Sequence, residues 1–263
     1  MNGPAGPELE HLLTGLPDLA FGFMVVLCRI SAAVMVLPGF GETEIPAVVR
    51  AGLAVGITLL IFPGVESMLP GSGGAVLRDL AIIGSELGFG LLLGWLARLM
   101  ALSLPIAGQV ISTVIGLSSV LQPDPELGSQ TTGVSRVLAL AVPVLILSSG
   151  LYALPLGALA GSYRLVPPGT LFSPGDAAQS VAVATEGCFS LALRLAAPLV
   201  LAGFLWQVML GLLARLVPSL QVYGLSLPGQ VLGGLLLLAL LIGPLLAVWM
   251  GAMASGFATL PGL

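Results

Sequence analysis

Residues 235–249 of the chain read LLLLALLIGPLLAVW, fifteen positions without a charged side chain. The run does not alternate between apolar and polar residues, so it is not a strand of a transmembrane β-barrel. About 20 apolar residues cross the hydrocarbon of a bilayer as a helix, in which the backbone N–H and C=O groups bond to one another. We therefore predict that residues 229–254 form a membrane helix.

Five further apolar stretches precede this one, separated by breaks rich in Pro and Gly. All but 47–62 are long enough to cross a bilayer by themselves, and 47–62 reaches across with its flanks. The predicted fold is an all-α integral membrane protein with about six long hydrophobic helices arranged as hairpins, in one domain over residues 1–263. A polar N-terminal tail is expected at 1–17, and the helices at 19–37, 47–62, 80–104, 137–160, 187–214 and 229–254.

The composition supports a membrane protein. Hydrophobic residues make up 57% of the chain and charged residues only 8%, whereas soluble domains carry about 25% charged residues. Lipid or other apolar protein must therefore contact most of the surface. All eight basic residues are Arg, the net charge is −4 and no basic patch is present, so nucleic-acid binding is not expected.

Residues 105–131 differ from the six stretches. They include AGQVISTVIGLSSVLQPDPELGSQ at 107–130, which is too polar to face lipid and too apolar for an exposed loop. Semi-polar backbone at membrane depth is tolerated only where protein or a water-filled cavity surrounds it. We expect a re-entrant or pore-side element that other protein encloses.

Charged side chains inside or at the edges of the apolar stretches need partners. Glu86 and Arg98 are separated by about 18 Å along one helix, and Glu186 and Arg194 by about 12 Å, so neither pair can form within its own helix. Their partners are expected on other helices or other subunits. For Arg29, Arg98 and Arg194 the alternative is snorkelling to the membrane interface. A Glu side chain is too short for that, so Glu86 is expected to face protein or water.

Glycines recur four positions apart, a spacing that lets two helices approach closely. Glu86, Gly90 and Gly94 fall on one helical stripe, which predicts a close helix contact with a carboxylate at one end. The glycine pairs are Gly84 and Gly88, Gly90 and Gly94, and Gly157 and Gly161.

The His, Cys, Asp and Glu residues form no recognisable catalytic or metal-binding pattern in the sequence. The chain has one histidine, His11, so paired His ligands cannot form and no HExxH motif exists. Cys28 and Cys188 lie in separate apolar stretches without metal-ligand spacing, and Asp124 in QPDPELG reads first as a turn residue. We expect no enzyme activity, no cofactor and no metal.

Four stretches together resemble one known family. They are RISAAVMVLPGFGETEIPAVVR at 29–50, ELGFGLLLG at 86–94, AGQVISTVIGLSSVLQPDP at 107–125 and ARLVPSLQVYGLSLPGQVLGG at 214–234. In this order and spacing they are similar to the FliR family of flagellar export-gate proteins, which shares its pattern with the SctT proteins of injectisomes. The resemblance covers nearly the whole chain.

The resemblance implies a function, partners and a location. Family members join FliP-type and FliQ-type subunits, with FlhB- and FlhA-type proteins nearby, in an export gate that passes unfolded substrate chains. The chain would be a multi-pass protein of the bacterial inner membrane, in contact with lipid, within the flagellar basal body. An SctT-type injectisome subunit is the main alternative. A small-molecule transporter is a weaker one, because no internal pseudo-symmetry is evident.

The resemblance also implies roles for residues. The segment that matches 115–131 is a plug loop that helps to close the pore in the family. Three groups are expected to matter: the plug residues Gly116, Leu117, Ser118, Ser119, Asp124 and Pro125; the helix-packing or subunit-contact residues Glu86, Gly90, Gly94 and Gly108; and the signature before the last helix, Arg215, Pro218, Tyr223 and Pro228.

Overall fold

The computed structural model of the chain describes residues 6–71, 75–117, 132–170, 173–216 and 222–262. It describes their side chains too, except those of residues 6–14 and 222–225. Within these ranges the regular secondary structure is helical and contains no strand, which confirms the predicted fold class. The helices are α1 (Gly6–Val34), α2 (Ala47–Val65), α3 (Val76–Ala101), α4 (Ser103–Ile115), α5 (Gly133–Ser148), α6 (Ala153–Leu165), α7 (Pro174–Leu216) and α8 (Val222–Phe257), with a short 3₁₀ turn at Glu66–Met68 after α2.

Several helices are long and apolar enough to cross a bilayer. Among the described residues there are five such spans, or six if α5 and α6 are counted together as one broken span. The predicted number of about six is therefore confirmed. The five are Gly15–Val34, Ala47–Met68, Val76–Ile115, Pro174–Leu216 and Ser226–Phe257.

The helix bounds differ from the sequence prediction at several points. The stretch 137–160 is not one helix, because Gly150 adopts a left-handed conformation with φ of 77° and ends it in a turn. The first part of 105–131 is the regular helix α4, and α1 begins at Gly6, inside the predicted polar tail. The helix predicted at 187–214 begins at Pro174, where a proline is favoured in the first helical turn.

The Cα positions group into two compact units. The first comprises Met1–Arg98, Gly150–Ala182 and Phe257–Leu263, and the second comprises Leu99–Ser149 and Val183–Gly256. The organisation of residues 1–263 as a single domain stays a prediction.

The core of the first unit is built around α1. Helices α1 and α2 form an antiparallel hairpin, in which the rings of Phe23 and Phe62 meet edge to face with centroids 5.7 Å apart. Helix α3 runs beside α1 in the same direction, since Gly90 lies against Arg29 and Gly94 against Ala33. The fully buried α1 side chains include Val25, Val26, Ile30, Ala33 and Val34.

The core of the second unit is built around α4. Helix α5 packs on it at Gly108, where an added Cβ would lie 2.9 Å from the Leu138 side chain and 2.9 Å from the Ser135 Cα. Helix α8 is held near its C-terminal end by the buried Trp249, whose indole Nε1 donates to Ser103 Oγ at 3.1 Å. The Ser103 hydroxyl, at the start of α4, therefore has a hydrogen-bond partner on another helix of the unit.

Candidate functional site

Arg29 of α1 and Glu86 of α3 form a buried ion pair in the first unit. The two side chains are 1% exposed. Arg29 Nε donates to Glu86 Oε2 at 2.6 Å and Nη2 donates to Glu86 Oε1 at 3.0 Å, the two-pronged geometry that makes arginine–carboxylate bonds strong. The predicted pairing between different helices is confirmed here, and the snorkelling alternative for Arg29 is wrong.

The same pair fastens α6 and the segment that follows it. Arg29 Nη1 donates to Ser162 Oγ at 3.2 Å, and Nη2 donates to the Val166 carbonyl at 3.0 Å. The Gly169 backbone N–H donates to Glu86 Oε1 at 3.1 Å. Bonds of this kind offset the large cost of taking two charges out of water. The pair thus joins α1, α3, α6 and residues 166–169 at one buried point.

Two aromatic rings enclose the Arg29 guanidinium. Its Cζ lies 4.2 Å from the Tyr163 ring centroid and 4.9 Å from the Phe89 ring centroid. A cation over an aromatic face is attracted to the ring's electron density, more strongly when water is excluded. The rings keep water from the ion pair and supply two further favourable contacts.

The glycine stripe that begins at Glu86 forms the contact between α3 and α1. A Cβ added at Gly90 would overlap the Arg29 carbonyl oxygen, and one at Gly94 would lie 2.8 Å from the Ala33 carbonyl oxygen. At Gly84, by contrast, a Cβ would meet nothing within 4 Å. The close approach therefore depends on Gly90 and Gly94, and it brings the backbone of Arg29 next to its partner helix.

The other arginines within the apolar stretches have different surroundings. Arg98 Nη2 lies 3.2 Å from Glu42 Oε2 in a partly exposed ion pair, and Arg98 Nη1 also reaches the Val36 carbonyl at 3.4 Å. This pair ties the α1–α2 turn to the end of α3. Arg194 is exposed on α7 and forms no hydrogen bond or ion pair with the described residues.

In the second unit, polar side chains join the end of α4 to the start of α5. Gln109 Oε1 accepts hydrogen bonds from the Thr132 backbone N–H at 3.3 Å and from Thr132 Oγ1 at 3.1 Å. The hydroxyls of Thr132 and Ser112 share a further hydrogen bond at 2.7 Å. These contacts hold residue 132 beside α4, so both borders of the segment 118–131 are anchored on the same helix.

Helix α8 also holds the last turn of α4. Gln230 Nε2 donates to the Val114 carbonyl at 2.8 Å, one of the carbonyls that a helix C-terminus leaves without an intrahelical donor. Gly116 then ends α4 with φ of 87°, a left-handed conformation that glycine adopts without strain. The path of the chain into residue 117 is thereby fixed.

Two glycines provide the space in which the end of α4 lies. A Cβ added at Gly203 of α7 would overlap the Val114 side chain, and one at Gly234 of α8 would lie 2.6 Å from Ile115 Cγ1. Beside them is a cavity of about 220 Å³, bounded by α4, α7 and α8, with Trp206 and Gln230 in its wall. Five residues here were not predicted from the sequence: Gln109, Thr132, Gln230, Gly203 and Gly234. Gln230 gave a signal as a polar side chain within an apolar stretch, and Gln109 lies in the segment 105–131 that was expected to be enclosed by protein.

The pair Gly234 and Gly233 offers a test of this packing. Gly234→Ala is expected to lower the free energy of unfolding by about 1–3 kcal/mol, because the buried, β-branched Ile115 has little room to move. Gly233→Ala is the matched control, since a Cβ there would meet nothing within 4 Å. Thermal unfolding of both purified variants measures the difference, and equal melting temperatures would contradict the proposed packing.

The predicted site residues separate into groups. Glu86, Gly90 and Gly94 lie together in the first unit, and Gly108 lies at the α4–α5 contact in the second. Gly116 and Leu117 follow α4, Arg215 is exposed in the last turn of α7, and Tyr223 and Pro228 lie in α8. Ser118, Ser119, Asp124, Pro125 and Pro218 lie outside the described residues. Within the described ranges, no group of three or more His, Cys, Asp and Glu is placed to hold a metal.

Comparison with known proteins assigns the family. Residues 20–256 match the protein family described as bacterial export proteins, family 1. The chain belongs to this family. Both buried clusters described above, the Arg29–Glu86 pair and the contacts around the end of α4, fall inside the matched range.

Individual relatives match most of the chain. The flagellar biosynthetic protein FliR of Caulobacter vibrioides is 32% identical over 232 residues, which is 86% of this chain and 90% of the relative. FliR of Bacillus subtilis is 29% identical, with 83% and 85% covered. The Yop proteins translocation protein T of Yersinia pestis is 29% identical, with 78% and 80% covered.

Proposed function

We propose that this chain is a non-enzymatic core subunit of the flagellar type III protein export gate, and forms part of the channel that passes unfolded flagellar subunits across the inner membrane. The observation that carries the proposal is the family match over residues 20–256 together with the FliR relative that it covers almost completely. The buried polar clusters are structural in character, which supports a scaffold rather than a catalyst.

The proposed partners are other export-gate subunits of the FliP, FliQ, FlhB and FlhA types. The exposed apolar surface of the helices supports this. Helices α2 and α8 leave most of their side chains outside the chain's own core, including Leu60 at 82% and Leu240 at 75% exposure. Such surfaces need lipid or other subunits around them. The proposed location is the inner membrane, within the flagellar basal body.

The pore plug is proposed at residues 116–125, between the anchors at the end of α4 and at Thr132. Replacing residues 117–122 with alternating Gly and Ser is expected to leave the assembled gate open to small ions, because apolar side chains that exclude water are lost. Ion conductance of membranes that contain the assembled gate measures the leak, with the wild-type gate as the control. A variant gate as tight as wild type would argue against a plug here.

A second candidate is the corresponding subunit of an injectisome, which the similarity to the Yersinia pestis translocation protein favours. Deleting the gene for this chain in its native host distinguishes the flagellar candidate from the injectisome candidate. We expect loss of hook and filament proteins from the culture medium and loss of motility, both restored by the wild-type chain. Retained motility with loss of needle and effector proteins would assign the chain to an injectisome instead. If neither motility nor protein secretion changed, both the flagellar and the injectisome candidates would be contradicted.

A further inference from the structure

Arg194 lies in the middle of an exposed apolar face of α7, within the second unit. Residues seven, eleven and eighteen positions away, which are close to two, three and five full turns, share its face of the helix. Val183, Leu201, Leu205 and Leu212 are 58% to 67% exposed, and a Cβ added at Gly187 would meet nothing within 4 Å. We call this surface the Arg194 stripe: Val183, Gly187, Arg194, Leu201, Leu205 and Leu212.

The charge on Arg194 is not neutralised by the described part of the chain. The side chain makes no ion pair or hydrogen bond there. Glu186, the other charged residue nearby on α7, lies about 12 Å away along the axis and on a different face. Arginines at membrane depth face protein or water-filled space and pair with anions, so the acceptor for Arg194 is expected to come from another molecule.

The length of the helix shows that lipid alone cannot cover the stripe. Residues 183–216 extend about 50 Å at 1.5 Å per residue, whereas the hydrocarbon of a bilayer is about 30 Å thick. If the hydrocarbon includes Arg194, no lipid group there can accept its hydrogen bonds. If it covers 195–214 instead, then Val183 of the stripe, which is 62% exposed, lies outside it, and if it covers 174–193, then Leu201, Leu205 and Leu212 lie outside it.

Each placement leaves part of the Arg194 stripe that lipid cannot cover, so protein is expected there. We infer that the Arg194 stripe is the docking surface for a helix of another export-gate subunit, an apolar helix that carries one Asp or Glu facing Arg194. This inference rests on the proposed function. The open space at Gly187 lets such a helix approach closely, and an arginine–carboxylate bond would set its register.

Charge reversal tests the stripe. The tagged chain is purified in mild detergent as wild type, Arg194→Glu and Arg194→Lys, and the partner subunits retained per chain are quantified. We expect at least a tenfold loss for Arg194→Glu and retention of at least half for Arg194→Lys. Arg78→Glu is the control, because it makes an equal charge change at an exposed arginine in the first turn of α3. This variant should retain the partner subunits. Full retention by Arg194→Glu would overturn the inference.

A crosslinking measurement on the otherwise unchanged chain separates docking from folding defects. A photoreactive amino acid at Leu201 is expected to crosslink to a partner subunit, within about two helical turns of an Asp or Glu. The same probe at Leu199, which is 2% exposed, should crosslink only within the chain. Crosslinks from Leu201 to lipid alone would overturn the inference. If the wild-type chain retains no export-gate subunit at all, the proposed function fails instead.

Discussion

Replacing Glu86 with Leu is expected to lower the free energy of unfolding by about 3–5 kcal/mol, because the Arg29 guanidinium then remains buried with no carboxylate to neutralise it. The wild-type pair is closed to solvent and sealed between Tyr163 and Phe89, so the uncompensated charge cannot reach water without moving a helix. The melting temperature of the protein in mild detergent, followed by tryptophan fluorescence, measures the loss. The amount of protein found in the membrane should fall with it.

The double variant Arg29→Leu with Glu86→Leu is the control for charge. Removing both members of a buried pair is often close to neutral, so the double variant should recover much of the stability that Glu86→Leu loses. Recovery should be incomplete, since the Val166 carbonyl and the Gly169 N–H also lose their partners. A double variant as unstable as the single one would show that the unpaired charge is not the cause.

Gly90→Ala is expected to destabilise the first unit by about 3 kcal/mol, at the upper end of the cost of overpacking. The added methyl group would overlap the Arg29 carbonyl oxygen, and a backbone carbonyl cannot rotate away as a side chain can. Helices α1 and α3 must then separate, which also lengthens the Arg29–Glu86 bonds. Thermal unfolding in detergent measures the effect.

Gly84→Ala is the matched control on the same helix. Gly84 is exposed and a Cβ there meets nothing within 4 Å, so alanine should leave the stability unchanged or raise it by up to about 1 kcal/mol through its higher helix propensity. Equal destabilisation by the two variants would show that the α1–α3 contact is not the reason for the glycine at position 90.

The apolar composition was sufficient to predict the class of fold. Only helices and closed β-barrels cross hydrocarbon, and the apolar stretches lack the alternation of apolar and polar residues that a barrel strand requires. It was insufficient for helix ends. Prolines between the apolar stretches were interpreted as breaks, yet Pro63 lies inside α2 and Pro228 lies inside α8. Conversely, the break at Gly150 falls within continuous apolar sequence and depends on one backbone angle.

The buried ion pair shows what a single sequence can and cannot reveal. The apolar surroundings of Arg29 and Glu86 indicated that each needs a partner, and the lengths along one helix excluded partners within it. That these two residues pair with each other depends on the contact between two helices, and the residues are 57 positions apart in the chain. Neither charge nor spacing encodes that pairing, and it follows from how α1 and α3 pack at Gly90 and Gly94.

The end of α4 was predicted only in outline. Semi-polar sequence indicated an element enclosed by protein. The hydrogen bonds that Thr132 donates to Gln109 and that Gln230 donates to the Val114 carbonyl provide such an enclosure for α4 itself. Gly203 and Gly234 carried no signal, because a chain with 36 glycines does not distinguish those that make room for a neighbouring side chain from those that face open space.

The most direct test of the central claim is purification of the tagged chain from the membranes of its native host in mild detergent, followed by identification of the proteins that remain bound. An export-gate subunit should be recovered together with FliP-type and FliQ-type proteins in a fixed ratio. Recovery of the chain alone, or with the components of a small-molecule transporter, would contradict the account.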